Sequence, residues 1–179
     1  MSRSAPRTGP LRAGRETRLL EVIADLTRRA ETQRDFAAEL CLDWAEIAAL
    51  AADPLCTIGA HTLTHPMLAK HGADFMRREI EESRRVIAQR LGDMPRHFAY
   101  PVGDPTSAGR REFDMVKALG FSSGVTTRPG MIFPEHAARP EALPRLSVNG
   151  NWQDADYLDI LLSGVPFALW NRGRLAPEI

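Results

Sequence analysis

The stretch Thr57-Ile58-Gly59-Ala60-His61-Thr62-Leu63-Thr64-His65-Pro66 carries the pattern that decides the fold of this chain. The apolar run over residues 55–60 predicts a short buried strand, and two histidines four residues apart follow where that strand ends. Imidazole is the commonest metal-binding side chain, and two of them on one short segment can share a single ion. We therefore expect His61 and His65 to be two ligands of a divalent metal.

Length and charge narrow the class of protein. The 179 residues are 44% hydrophobic and 26% charged, which suffices for one domain with a core. The 23 basic and 23 acidic residues cancel, so no overall field favours nucleic acid or an anionic membrane. No run approaches the roughly 18 apolar residues of a membrane span. No apolar segment follows the basic N-terminus as in a secretory signal, so the cytoplasm is the default expectation.

The two cysteines, Cys41 and Cys56, lie in apolar segments and lack metal-type spacing. We expect both to be reduced core residues, which leaves the cellular compartment undetermined.

Residues 1–14 contain Ser, Pro, Gly and Arg but no acidic residue, which predicts a disordered basic tail ahead of one domain over residues 15–179. Apolar spacing predicts helices at about 15–33, from 44 to a stop at Asp53-Pro54, and at 74–91, 107–119 and 152–163. Asp43 has capping-box spacing to Glu46, Asp74 can cap the third helix, and Gly92 can end it. Strands are predicted at 55–60, 97–100, 121–126 and 142–148. This alternation favours parallel α/β architecture with function in the loops at the strand ends.

A second unusual loop follows the strand at 97–100, which breaks at Pro101 into a tight Gly/Pro turn. With both loops placed, the chain resembles the polysaccharide deacetylase family of the NodB homology type. His61-Thr62-Leu63-Thr64-His65 matches its metal-binding His-[Ser/Thr]-x-x-His element, and Phe98-Ala99-Tyr100-Pro101-Val102-Gly103 is similar to its substrate-groove loop. Leu143-Pro144-Arg145-Leu146 resembles a late strand, so the resemblance runs from about residue 42 to 148.

The resemblance implies a hydrolase of carbon–nitrogen bonds that removes acetyl groups from N-acetylated oligo- or polysaccharides on a distorted (β/α) barrel. His61 and His65 would hold the ion, usually zinc, together with one aspartate. The backbone N–H of Val102 would stabilise the oxyanion. Substrate contacts would come from Tyr100, Pro101, Val102 and Arg145, and His136 is the candidate general acid.

One motif of the family has no counterpart here: the Asp-Asp pair that supplies the metal aspartate and the general base. No two adjacent aspartates occur in the chain. We therefore expect an incomplete barrel with its first strands missing, an incomplete zinc site and impaired hydrolysis by this chain alone. A partner chain could complete the barrel, and Asp104 and His71 are candidate substitutes for the third ligand.

Two alternatives stay open from the sequence. A non-catalytic relative would keep the scaffold and bind a carbohydrate or a partner without turnover. A structural zinc module would need four protein ligands, with Cys41 and Cys56 joining the histidines.

Overall fold

The computed structural model describes residues 16–29, 40–148, 154–171 and 173. The chain divides into two compact units, Met1–Thr57 and Ile58–Ile179. The predicted tail over residues 1–14 and the end of the first predicted helix beyond residue 29 lie outside the described residues. Within the described part of the chain, no helix combines the length and apolar character that crossing a membrane requires.

The first unit contributes two helices, both of which the sequence predicts. Helix α1 is Glu16–Arg29 and helix α2 is Trp44–Ala51. The capping box before α2 is present: the Asp43 carboxylate accepts from the Glu46 N–H, and the Glu46 carboxylate accepts from the Asp43 N–H, each at 2.8 Å. The helix ends before Pro54, because proline disfavours α geometry in the residue that precedes it.

The second unit alternates helices and strands. Its elements are α3 (Ala73–Leu91), β1 (His97–Ala99), α4 (Arg110–Ala118), β2 (Ser123–Val125), α5 (Ala155–Leu162) and α6 (Val165–Trp170), with 3₁₀ turns at Leu68–Lys70, Pro134–Ala138 and Pro140–Ala142.

The sheet is parallel. β1 pairs with β2, with His97 opposite Ser123. Single parallel bridges extend this pair on both sides, from Ala60 to Phe98 and from Leu143 to Val125. The order across the sheet is therefore the Ala60 segment, β1, β2 and the Leu143 segment, which is the parallel α/β arrangement that the alternation predicts. The carboxyl ends of all four segments meet at one edge.

The strands predicted at 55–60 and 142–148 are longer than the paired segments that the structure contains. Of residues 55–60 only Ala60 pairs, and Leu55 is 96% exposed because a turn precedes it: the Asp53 carboxylate accepts from the Leu55 N–H at 2.8 Å. Of residues 142–148 only Leu143 pairs, since Pro144 has no N–H with which to continue a ladder. An apolar run predicts burial, whereas a strand also needs a partner backbone.

The two cysteines are reduced, as predicted, but the prediction that they lie in the core is wrong. Cys41 is exposed, Cys56 is only half-buried, and both are free thiols. Cys41 immediately precedes the turn into α2, and Cys56 lies in the turn that follows it, so neither residue reaches a core.

Helix α3 differs from its prediction at one end only. Gly72, not Asp74, is its N-cap, and Asp74 lies in the first turn, where a negative charge is favourable. Gly92 ends the helix with φ 86°, as the sequence predicts, because glycine adopts this left-handed conformation without strain.

The core lies between the sheet and helices α3 and α4. Its buried residues are Ala60, Leu68, Met76, Ile80, Phe98, Tyr100, Ala108, Phe113, Val116, Phe121 and Ala142. Its centre is aromatic, with edge-to-face contacts at centroid distances of 5.1 Å between Phe98 and Tyr100 and 5.1 Å between Tyr100 and Phe113.

Tyr100 is a core residue. Its side chain is buried, and its hydroxyl donates to the Glu141 carbonyl at 2.7 Å. Burial and the nearby Glu141 carboxylate raise the pKa of Tyr100, so the hydroxyl remains a donor. Gly124 makes this contact possible: a Cβ on Gly124 would lie 2.5 Å from the Glu141 oxygen and 2.8 Å from the Tyr100 hydroxyl.

We expect Gly124→Ala to lower the free energy of unfolding by about 1–3 kcal/mol, because the added methyl has to displace backbone. Chemical denaturation measures this loss. The control is Gly72→Ala, whose Cβ would meet nothing within 4 Å and whose φ is −72°, so that any loss there reflects only the smaller cost of alanine at a helix N-cap. An equal loss in both variants would contradict the steric explanation.

We expect Tyr100→Phe to cost about 1–2 kcal/mol, because it leaves the buried Glu141 carbonyl without its donor. Tyr157→Phe is the matched control, since Tyr157 is about half exposed. A Tyr100→Phe variant as stable as the wild type in denaturant melts would show that this hydrogen bond contributes nothing.

Candidate metal and substrate site

The candidate site is formed by two loops that leave neighbouring parallel segments at the same edge of the sheet. His61 follows Ala60 directly, and its Nδ1 lies 2.7 Å from the carbonyl oxygen of Ala99, at the end of β1. A carbonyl can only accept, so Nδ1 carries the proton and donates it. The lone pair of His61 is therefore on Nε2, which is the tautomer and the anchoring typical of a metal-bound imidazole.

His65 lies beside His61. Their ring centroids are 4.9 Å apart, with the ring planes at 71°, and both residues are exposed to solvent. Two nitrogens bound to one tetrahedral ion are roughly 3.3 Å apart. The two rings are close enough to satisfy that spacing, so the pair fits a divalent ion as two of its ligands.

The electrostatics of the pair favour a neutral ring. Partial burial lowers the pKa of His61, the hydrogen bond to Ala99 opposes this effect, and the positive fields of His65 and Arg145 lower it further. The net shift is downward, and neutral imidazole is the form that binds metals.

Backbone strain is concentrated in the two loops. Among the residues that the structure describes, the non-glycine residues with φ in the left-handed region are Thr62 (63°), His65 (58°) and Val102 (61°). Such a conformation costs on the order of 1–3 kcal/mol, and more for β-branched residues, so it persists only where the surroundings enforce it. Both loops that the sequence singles out are strained in this way.

The loop after β1 is a tight turn around Val102. The Gly103 N–H donates to the Pro101 carbonyl at 2.7 Å, which makes a γ-turn with positive φ at its centre. Thr127, just beyond β2, holds the turn twice: its hydroxyl donates to the Val102 carbonyl at 2.7 Å, and its N–H donates to the Gly103 carbonyl at 3.0 Å.

The Val102 N–H is available to a ligand. Within the described parts of the chain no hydrogen bond uses it, and the residue is half-buried. The side chains of Tyr100 and Pro101, in contrast, are almost fully buried. They shape the loop from within the core, so the substrate contact predicted for these two side chains has no exposed surface to support it.

Arg145 is exposed, and its N–H donates to the Arg128 carbonyl at 3.0 Å. Its charge is close enough to His61 to affect the pKa of that ring, so the structure brings Arg145 to the vicinity of the histidine pair.

His136, the predicted general acid, is buried in its own 3₁₀ turn. Its Nδ1 accepts from the Phe133 N–H at 2.9 Å, and the two rings stack with centroids 6.2 Å apart. These contacts are local and cap the turn, and they do not bring His136 to the histidine pair.

A third ligand is not assembled in the described ranges: no group of three or more His, Cys, Asp or Glu side chains there could hold an ion. Burial alone would raise the pKa of Asp104, but hydrogen bonds from Thr106 and Ser107 lower it, so this carboxylate is already satisfied. His71 stacks on Phe75, with centroids 4.5 Å apart. The predicted substitutes, Asp104 and His71, therefore find no support in this part of the chain.

Two residues of the site were not predicted. Glu79 on α3 and Thr127 after β2 hold the histidine loop and the Val102 loop respectively. A signal for Glu79 exists in the sequence: it lies three residues after Met76 and next to Ile80, so a carboxylate shares the apolar stripe of the helix. Thr127 gives no comparable signal.

Comparison with known proteins identifies the family. A sequence model described as polysaccharide deacetylase matches residues 22–122, more than half of the chain. No curated protein sequence matches.

Solved structures share the fold at low sequence identity. The Streptococcus pyogenes deacetylase PplD in complex with acetate is 20% identical, with a TM-score of 0.59 over 67% of this chain and 50% of that one. BC0361, a polysaccharide deacetylase from Bacillus cereus, is 18% identical (TM-score 0.58, 68% and 36%), and IcaB from Ammonifex degensii is 22% identical (0.53, 67% and 52%).

The chain thus spans about half of the length of these structures, or less. The family match covers both loops of the candidate site as well as α3 and α4 between and beyond them. The chain belongs to the polysaccharide deacetylase family.

Proposed function

We propose that this chain carries the metal-binding and oxyanion-binding loops of a metal-dependent deacetylase that acts on N-acetylated oligo- or polysaccharides. The observation that supports this most strongly is the hydrogen bond from His61 Nδ1 to the Ala99 carbonyl, beside the His65 ring. This bond leaves Nε2 of His61 free to bind an ion, and the nearby His65 ring could share that ion. We further propose that the four parallel segments belong to a distorted (β/α) barrel.

His61 and His65 would hold the ion. Imidazole suits several divalent transition metals, and zinc is the one that we propose. When bound, such an ion supplies Lewis-acid chemistry, lowering the pKa of a bound water and polarising a carbonyl.

Val102 would stabilise the transition state. Its unused N–H can donate to the acetyl oxygen as negative charge develops there, and the strained turn fixes the direction of that donor before the substrate arrives. Arg145 adds a positive charge and planar donors near the histidines, which suits the hydroxyl and carbonyl oxygens of a sugar.

Proton transfer is the step for which the described residues offer least. Amide hydrolysis needs a base to take a proton from water and an acid to protonate the leaving amine. No carboxylate joins the histidine pair within 40–148, and His136 is tied to Phe133. We therefore propose that the 179-residue chain binds metal through two imidazoles and is impaired in turnover on its own.

We expect His61→Ala and His65→Ala each to abolish stoichiometric zinc binding in isothermal calorimetry. A single imidazole loses the chelate that makes the site, so the expected change is from measurable binding to none. His97→Ala is the control, because His97 is also exposed but contacts Ser123 at the start of β2. Binding that survives in both loop variants would rule out this site.

We expect negligible acetate release from acetylated chitooligosaccharide by this chain at saturating zinc. The reason is that the described residues place no carboxylate beside the histidine pair as a base, and a general base is typically worth about 10²–10⁴ in rate. Coupled detection of acetate measures it, with a competent member of the family as the positive control. Robust zinc-dependent release would show that another carboxylate of the chain serves as the base.

A further inference from the structure

The turn between the two histidines is held by a single buried carboxylate. Glu79 lies on α3 and is only 6% exposed. Its Oε2 accepts from the N–H groups of Leu63 at 3.0 Å and Thr64 at 2.9 Å, and its Oε1 accepts from the Thr64 hydroxyl at 2.9 Å. Three hydrogen bonds therefore join the helix to the loop.

These bonds are strong for two reasons. A carboxylate acceptor makes charge-assisted hydrogen bonds, which are stronger than those between neutral groups. A buried carboxylate is also stable only when its oxygens accept hydrogen bonds. The loop supplies those donors, and the helix supplies the acceptor for them.

The position of the bonds in the loop matters as much as their number. Leu63 and Thr64 lie directly between Thr62 and His65, the two residues of the turn with positive φ. The His65 N–H in turn donates to the Thr62 hydroxyl at 3.1 Å. Glu79 thus holds the middle of a strained turn whose two ends would otherwise relax.

The two histidines depend on this support to different degrees. His61 has its own anchor in the Ala99 carbonyl, 2.7 Å from its Nδ1. His65 follows Thr64 directly, so the direction of its ring depends on the backbone that Glu79 holds.

We propose that Glu79 is a positioning residue of the metal site, which orients His65 against His61 by clamping the Leu63–Thr64 backbone. This inference rests on the proposed function, because it assigns Glu79 a purpose in metal binding. The inference goes beyond the proposed function because it predicts that a carboxylate touching neither histidine governs the affinity of the histidine pair for zinc.

The test compares Glu79→Ala, Glu79→Gln and the matched control Ser83→Ala by zinc calorimetry and thermal melting. We expect Glu79→Ala to weaken zinc binding by about tenfold or more, as outer-shell changes typically do. Glu79→Gln should keep binding within about threefold of wild type, since the amide oxygen can still accept from both N–H groups. Ser83→Ala removes a buried side-chain hydrogen bond of the same helix, from Oγ to the Ile80 carbonyl at 2.9 Å, and should leave zinc affinity unchanged.

A second readout needs no metal. Amide hydrogen exchange of Leu63 and Thr64 in the metal-free protein should speed up in Glu79→Ala and remain slow in Glu79→Gln and Ser83→Ala. If Glu79→Ala does not fold, Glu79→Asp replaces it, because it keeps the charge but retracts the carboxylate by one methylene.

The outcomes separate the two proposals. One outcome is that folded Glu79→Ala or Glu79→Asp binds zinc like the wild type while His61→Ala does not bind it. This result would overturn the role of Glu79 and leave the proposed function intact. Absence of zinc binding by the wild type, with the two amides still protected through Glu79, would overturn the proposed function and with it the metal-positioning role. Glu79→Gln as weak as Glu79→Ala would contradict the clamp geometry, since charge alone would then be what matters.

Discussion

Two hydrogen bonds between Ala60 and β1 determine how the rest of the site is arranged. The Ala60 N–H donates to the His97 carbonyl, and the Ala99 N–H donates to the Ala60 carbonyl, both at 2.9 Å. They align the Ala60 segment and β1 in parallel, so that the carboxyl ends of both lie at the same edge of the sheet. His61, one residue past Ala60, can then reach the Ala99 carbonyl, and the histidine turn lies next to the Val102 loop. The register of these two parallel segments therefore determines the geometry of the candidate metal site.

The strained loops are tolerable because each is supported by a different element. Glu79 on α3 holds the histidine turn, and Thr127 beyond β2 holds the turn around Val102. A rigid scaffold with constrained loops at the strand ends is the arrangement in which parallel α/β proteins place their chemistry. In this chain the rigidity comes from a core whose centre is aromatic, around Phe98 and Tyr100.

Local signals in the sequence predicted local features well. The capping box at Asp43, the end of α3 at Gly92 and the histidine pair after a parallel segment all follow from short-range chemistry. Features that depend on distant partners were harder. The length of the strand before His61 depends on how far β1 extends, and the burial of Tyr100 depends on the absence of a side chain at Gly124. Glu79 and Thr127 act through contacts 15 to 25 residues away in sequence; only Glu79 has a local signal, its place in the apolar stripe of α3.

The separate supports of the two loops have an evolutionary consequence. If the turn around Val102 binds an acyl group as proposed, changes there or at Thr127 would alter that surface and leave the bonds from Glu79 to the histidine turn as they are. Changes in α3 act in the opposite way. Under the proposed function, a lineage built on this scaffold could therefore change ligand recognition and ion binding separately, because each loop has its own small set of supporting contacts.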